Sequence, residues 1–101
     1  MKQNKEEELL ELAKFYFLNS KFDEAQDELN KVLKINPLNS QAYCNLGLIS
    51  EHNKDYEQAK QMYKKTLDID AANKVAKEHL DKIIGFVTMY RGSPNKQIKI
   101  A

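Results

Sequence analysis

The chain has 101 residues, a formal net charge of +1 and 42% hydrophobic content, which marks one folded domain rather than a disordered chain. Acidic and basic residues are interspersed, so no basic block points to nucleic acid, and the single cysteine, Cys44, excludes an intramolecular disulfide and fits a reducing compartment. The charged start Met1–Glu8 is not a secretory signal, and no run approaches the ~18 consecutive apolar residues of a membrane helix. A cytoplasmic protein without a membrane span is expected, with Met1 read as a natural start.

Residues 1–5 read as a short extension, and a helix is predicted over Glu6–Asn19. Leu9, Leu12, Ala13 and Tyr16 recur at i, i+3, i+4 and i+7, the apolar stripe of a helix. Glu6, Glu7 and Glu8 occupy its first turn, where carboxylates favour the positive end of the helix dipole. Asn19-Ser20 breaks it, and Ser20 with Asp23 has the spacing of a capping box for a second helix, Phe22–Ile35. Phe22, Ala25, Leu29, Val32 and Leu33 form the stripe of that helix. Asn36-Pro37 ends it, because the residue before proline is pushed out of the α region. The pattern then recurs: helices over Ser40–Asn53 and Tyr56–Ile69, with Asp55 and Gln58 as the next cap.

Glu6–Asn39 and Ser40–Asn73 are two copies of one 34-residue pattern with no gap between them. Leu12/Leu46, Asn19/Asn53, Ala25/Ala59, Lys31/Lys65, Leu33/Leu67, Ile35/Ile69 and Asn39/Asn73 are identical between them. Gly47 costs about 1 kcal/mol in mid-helix against alanine, and a close approach to Ala59 on the partner helix would offset that, with Ala13 and Ala25 as counterparts. A fifth helix is predicted over 74–90, with Ala76, Leu80, Ile83, Ile84 and Val87 inward and Phe86, Met89 and Tyr90 left outside as a patch for a weak homodimer. Arg91-Gly92-Ser93-Pro94 ends it, and residues 91–101 read as a flexible tail.

Tyr43-x-x-Leu46-Gly47 followed by Ala59-x-x-x-Tyr63, and Leu9-x-x-Leu12-Ala13-x-x-Tyr16 followed by Ala25-x-x-x-Leu29 and Pro37, resemble the signature of the tetratricopeptide repeat (TPR) family. Ser50 and Ala71 depart from it, standing where the family prefers Tyr and Pro. The resemblance implies an all-α superhelix of helical hairpins, two repeats and a C-terminal capping helix, five helices in all. It also implies a non-enzymatic adaptor that holds an extended or helical peptide segment of a partner in a concave groove. A self-associating unit, or a piece of a longer array, is the alternative.

The family's groove positions fall here on Glu7, Leu10, Glu11, Lys14, Phe17 and Leu18, then on Gln41, Cys44, Asn45, Leu48, Glu51 and His52, then on Val75, Glu78, His79, Lys82 and Phe86. Phe15 and Tyr16 take core positions, which leaves Phe17 and Leu18 as surplus apolar residues. With Leu10, Cys44 and Leu48 they are expected to floor the groove, ringed by Lys14, Asn45, His52, His79 and Lys82. Some members of the family clamp a C-terminal carboxylate with Lys, Asn and Arg side chains. Asn45 alone matches that set, and Leu10, Lys14, Val75 and His79 do not. Cys44, His52 and His79 lack the spacing of a metal or nucleophile site. No cofactor is expected, and Cys44 reads as a surface thiol.

Overall fold

The computed structural model describes residues 4–87. Five α-helices follow one another: α1 (Lys5–Leu18), α2 (Phe22–Ile35), α3 (Ser40–His52), α4 (Tyr56–Ile69) and α5 (Lys74–Val87). Successive helices pack as antiparallel neighbours. α1 lies on α2 and α3 on α4, while α3 also rests on α2 and α5 on α4. The described residues are therefore all helix and turn, stacked in chain order. The expected bounds of α2 and α4 hold, and α1 and α3 each shift by a residue or end one earlier. The C-terminal end of the fifth helix beyond Val87, and the tail, lie outside the described residues.

Asparagine writes most of the boundaries. Asn39 Oδ1 accepts from the Ala42 N–H at 2.9 Å and Asn73 Oδ1 from the Ala76 N–H at 2.8 Å, so the identical pair Asn39/Asn73 caps α3 and α5. α1 starts one residue before the expected Glu6 because Asn4 Oδ1 takes the Glu7 N–H at 2.8 Å. Between α2 and α3 the Asn36 side chain accepts from the Leu38 N–H at 3.0 Å. Between α4 and α5 Asp70 accepts from the Ala72 N–H at 3.2 Å. Such a side-chain turn builds the bend without a proline, which explains how Ala71 can replace the proline found in the first copy.

The capping box at Ser20 and Asp23 does not form. Ser20 sits in the left-handed region (φ 62°), Lys21 is the N-cap of α2, and no side chain caps that helix. The Ser20 N–H instead donates to Phe17 O and the Lys21 N–H to Tyr16 O, closing α1 with a Schellman turn. Lys54 (φ 65°) and Asp55 repeat this geometry at the end of α3. There the expected cap does form: Asp55 Oδ1 accepts from the Gln58 N–H at 3.1 Å.

Two apolar clusters make the core. Leu9, Ala13, Ala25, Leu29 and Val32 of the first hairpin gather with Ala42 and Ile49 of α3. Ala59 and Tyr63 gather with Cys44 and with Ala76, Leu80 and Ile83 of α5. α3 is thus shared, one face to each cluster. Gly47 meets the Tyr63 ring rather than Ala59. A Cβ there would stand 2.6 Å from Tyr63 Cε1, so the glycine makes room for an aromatic side chain.

Three positions depart from the expected core. Phe15 is 58% exposed and Leu12 39% exposed, although the sequence pattern places both inward. Their counterparts Ile49 and Leu46 are covered by α2; nothing among the described residues lies in the equivalent place before α1. Ile84 is also exposed, because its counterparts Tyr16 and Ser50 face the second helix of their own hairpins and no such helix follows α5 among the described residues.

Candidate functional site

The groove-facing stripe of α1 and α3 lines a cavity of about 460 Å³. Leu10, Phe17, Leu18 and Leu48 supply apolar walls, Ala13, Ala25, Leu29 and Ile49 close its base, and Glu11, Lys14, Gln41 and Asn45 rim it. Of the expected groove residues, Leu10, Lys14, Phe17, Leu18, Asn45 and Leu48 therefore meet in one place. They come together because α1 and α3 both pack on α2, so residues one helical period apart on each face the same hollow. Leu18 is 70% exposed. Phe17 is only half-buried, and it packs edge-on against Phe22 at 5.3 Å between ring centroids. It is both groove wall and core support.

Cys44 is not in the groove. It is buried in the second cluster, with Sγ 4.0 Å from Asn73 Oδ1, because α5 and the turn before it close over this small side chain. Burial pushes its thiol pKa up, away from the thiolate character a reactive cysteine needs. The expectation of a surface thiol was wrong for the same reason.

The histidines and Lys82 separate from that hollow. His52 packs against Phe22 with ring centroids 4.2 Å apart and the rings tilted by 37°. His79 places Nδ1 2.9 Å from Glu51 Oε1, and the Tyr63 hydroxyl donates to the same oxygen at 2.8 Å. This network ties α3, α4 and α5 together. Burial first, and the Glu51 bond second, hold the Tyr63 phenol far above its usual pKa. Lys82 lines a second hollow of about 310 Å³ with Glu51, Tyr56 and Ile83. The dimer-patch residues Met89 and Tyr90 lie outside the described residues, as does the side chain of Phe86.

The sequence reading missed the polar seam between the hairpins. Glu6 accepts from Asn36 Nδ2 at 3.0 Å and from Asn39 Nδ2 at 2.9 Å, and these bonds, Asn39 foremost, hold its carboxyl below the usual range. It also missed Glu28, buried in α2 and bonded to Lys31 at 3.3 Å. Among the described residues no group of three or more His, Cys, Asp or Glu side chains could hold a metal ion, and no helix is long and apolar enough to cross a membrane.

Stacked helical hairpins at a 34-residue repeat, with a concave apolar hollow between their first helices, define a TPR protein. A family model, that of the tetratricopeptide repeat protein 21 C-terminal ARM domain, matches residues 2–82, and the chain belongs to this family. It is similar to the heat shock protein STI1 of Saccharomyces cerevisiae, 43% identical over 63 residues. That match takes in 62% of this chain and 11% of STI1, so the chain spans only a small part of that relative. Among solved structures it resembles the first TPR of Spaghetti (RPAP3) bound to the HSP90 peptide SRMEEVD, at a TM-score of 0.73 and 26% identity. That likeness covers 79% of this chain and 64% of the other.

Proposed function

We propose that this chain is a non-enzymatic adaptor module that seats a peptide segment of a partner protein in the hollow between α1 and α3. The cavity of about 460 Å³ with apolar walls and a polar rim carries the reading. It has the composition of a ligand site, mostly apolar with a few orienting polar groups. The peptide held by the TPR of Spaghetti supports it by likeness. Leu10, Leu18 and Leu48 act as the apolar floor, and Lys14 and Asn45 fix the backbone or a polar side chain. The partner's anchor is an apolar side chain rather than a terminal carboxylate. Leu10 occupies a clamp position, and His79 is engaged by a carboxylate of this chain, Glu51. Work in the cytoplasm and freedom from cofactors accompany this reading.

The test is a peptide array probed with the full chain, with SRMEEVD included as free acid and as amide. Bound peptides should share an apolar anchor, and SRMEEVD should gain little from its free carboxylate. Leu18→Asp and Lys14→Glu change exposed positions, so they should remove binding and leave the melting temperature unchanged. Binding that survives both substitutions would refute the groove.

A further inference from the structure

The side of α1 turned away from the groove is a second surface of this protein, since Glu8, Leu12 and Phe15 take no part in lining the hollow. We infer that the face of α1 formed by Glu8, Leu12 and Phe15 is a docking surface for the second helix of a helical hairpin supplied by a partner protein. The same face occurs three times in the chain at the repeat offset: Glu8-Leu12-Phe15, Ala42-Leu46-Ile49 and Ala76-Leu80-Ile83. In the second copy Ala42 and Ile49 are buried against α2, and in the third Ala76, Leu80 and Ile83 are buried with α4. Exposure falls to 2% at Ile49 and 3% at Ile83. In the first copy the apolar positions remain, and nothing among the described residues covers them. The molecule thus shows twice what kind of element covers this face.

The geometry also sets the chemistry of the occupant. α2 ends at Ile35 and α3 starts at Ser40, so the C-terminal end of the covering helix meets the N-terminal end of the helix it covers. On α1 that end carries Glu6, Glu7 and Glu8. Glu8 stands where the internal faces carry a fully buried alanine, and it pairs with Lys5 at 3.7 Å on the surface. A helix docked there must bring a cation in its last turn, as α2 does with Lys34. Its apolar stripe must match that of α2, with small and aliphatic residues at the positions of Ala25, Leu29 and Val32. An aromatic anchor with a charged rim, in place of Ala-Leu-Ile, is the composition of a separable interface rather than of a permanent internal one.

A stapled helix of residues 21–36, linked across Gln26 and Asn30 on its solvent side, carries this stripe and Lys34. It serves as the probe against the isotope-labelled full chain in two-dimensional NMR. Amides from Glu8 to Phe15 should shift saturably. Phe15→Asp should weaken binding by about tenfold or more, as loss of a central aromatic anchor does. Glu8→Lys should weaken it more mildly, and Leu18→Asp, on the groove side, should leave it unchanged, which separates this surface from the peptide site. Phe15→Asp alone should not alter the melting temperature. Absence of shifts, or shifts confined to Leu10, Lys14 and Leu48, would overturn the inference. So would a dimer of the parent chain in sedimentation that Phe15→Asp dissolves, since the occupant would then be a second copy.

Discussion

The two ends of the helical stack formed by the described residues differ in the faces they leave uncovered. At the C-terminal end, α5 has Lys77 and Asp81 where α1 has Leu9 and Ala13 and α3 has Tyr43 and Gly47, the residues that press on the second helix of each hairpin. Lys77 Nζ and Asp81 Oδ2 pair at 3.5 Å in the open. Two of the three positions on this face are therefore charged, with Ile84 as its exposed apolar member, and a polar outer face of this kind is what a terminal repeat needs for solubility. At the N-terminal end, α1 keeps Leu12 and Phe15 on the face that α3 and α5 bury. The same position in the pattern therefore carries different energetic weight in each copy, and only the neighbouring helix decides it. Substitutions at matched positions test this directly.

The largest difference is expected at the position shared by Ala13, Gly47 and Asp81. Gly47→Leu must displace the buried Tyr63 ring, whose Cε1 already lies 2.6 Å from an added Cβ. Overpacking of this kind costs about 1–3 kcal/mol and sometimes more, and this site belongs at the upper end. Ala13→Leu should also be costly, since Ala13 is buried in the first cluster. Asp81→Leu should fall within about 0.5 kcal/mol of the parent, the usual range for surface changes. Urea denaturation of the three variants gives the comparison. If Asp81→Leu proves as damaging as the others, α5 is covered by something outside residues 4–87.

Next in size is the position of Phe15, Ile49 and Ile83. Ile83→Ala should cost about 2–5 kcal/mol, the range for a buried isoleucine, because α5 is held to α4 through it. Phe15→Ala should cost about 0.5 kcal/mol or less, although it removes the larger side chain. A loss at Phe15 matching that at Ile83 would mean that the α1 face is already covered in solution.

These positions also show which parts of the structure could be read from sequence. The 34-residue register and the bounds of α2 and α4 were legible because period and punctuation agree there. Asn39 and Asn73 were visible as identities before their role as caps was known. The Asn4 cap had a signal, Asn followed by glutamate three residues later, which the first copy's register obscured. Phe15, Leu12 and Ile84 were misplaced because a periodic stripe states that a residue is apolar, not whether a neighbour exists to cover it. Cys44 was misplaced because the groove numbering takes no account of how far a small side chain lets the next helix close down. Of the expected groove residues on α1 and α3, Leu10, Glu11, Lys14, Phe17, Leu18, Gln41, Asn45 and Leu48 line one hollow, while Glu7, Cys44, Glu51 and His52 do not. His52, His79 and Lys82 go elsewhere because Phe22, Glu51 and Tyr56 hold that side of the surface.

A smaller effect should separate Tyr63 from its counterpart Leu29. Both are buried at one point of the pattern, but the Tyr63 hydroxyl donates to Glu51 at 2.8 Å. Tyr63→Phe keeps the ring over Gly47 and removes that bond. A hydrogen bond to a charged group is worth about 1.5–3 kcal/mol, and the partial exposure of Glu51 puts the loss near the lower figure. The pH dependence has a definite sign. Because the folded protein holds the phenol neutral, its stabilising contribution is complete below the unfolded value of about 10 and declines as pH rises above it. The parent should thus lose stability on the alkaline side faster than Tyr63→Phe does. Parallel alkaline limbs for the two proteins would show that the phenol is not held neutral.

The smallest predicted change sharpens the comparison of the two inter-helix turns. Ser20 and Lys54 share a left-handed conformation, and the N-caps that follow, Lys21 (φ −97°, ψ 74°) and Asp55 (φ −91°, ψ 79°), have nearly the same backbone. The turns differ in the cap side chain. Asp55 accepts from the Gln58 N–H at 3.1 Å, and Lys21 makes no such bond. Lys21→Asp should therefore install in α2 the cap that α4 already has. The gain should be about 1 kcal/mol, the typical worth of such a cap, with the negative charge also favouring the N-terminal end of the α2 dipole. Asp55→Lys should lose about as much. Asp23 and Glu24 already stand in the first turn of α2, so like-charge repulsion trims the gain at low salt, and melting at raised ionic strength gives the cleaner reading. Equal and opposite shifts in the two variants would show that the turns are interchangeable parts of one repeat. A stabilisation from Asp55→Lys, or a loss from Lys21→Asp, would show that each turn is set by contacts beyond its own backbone.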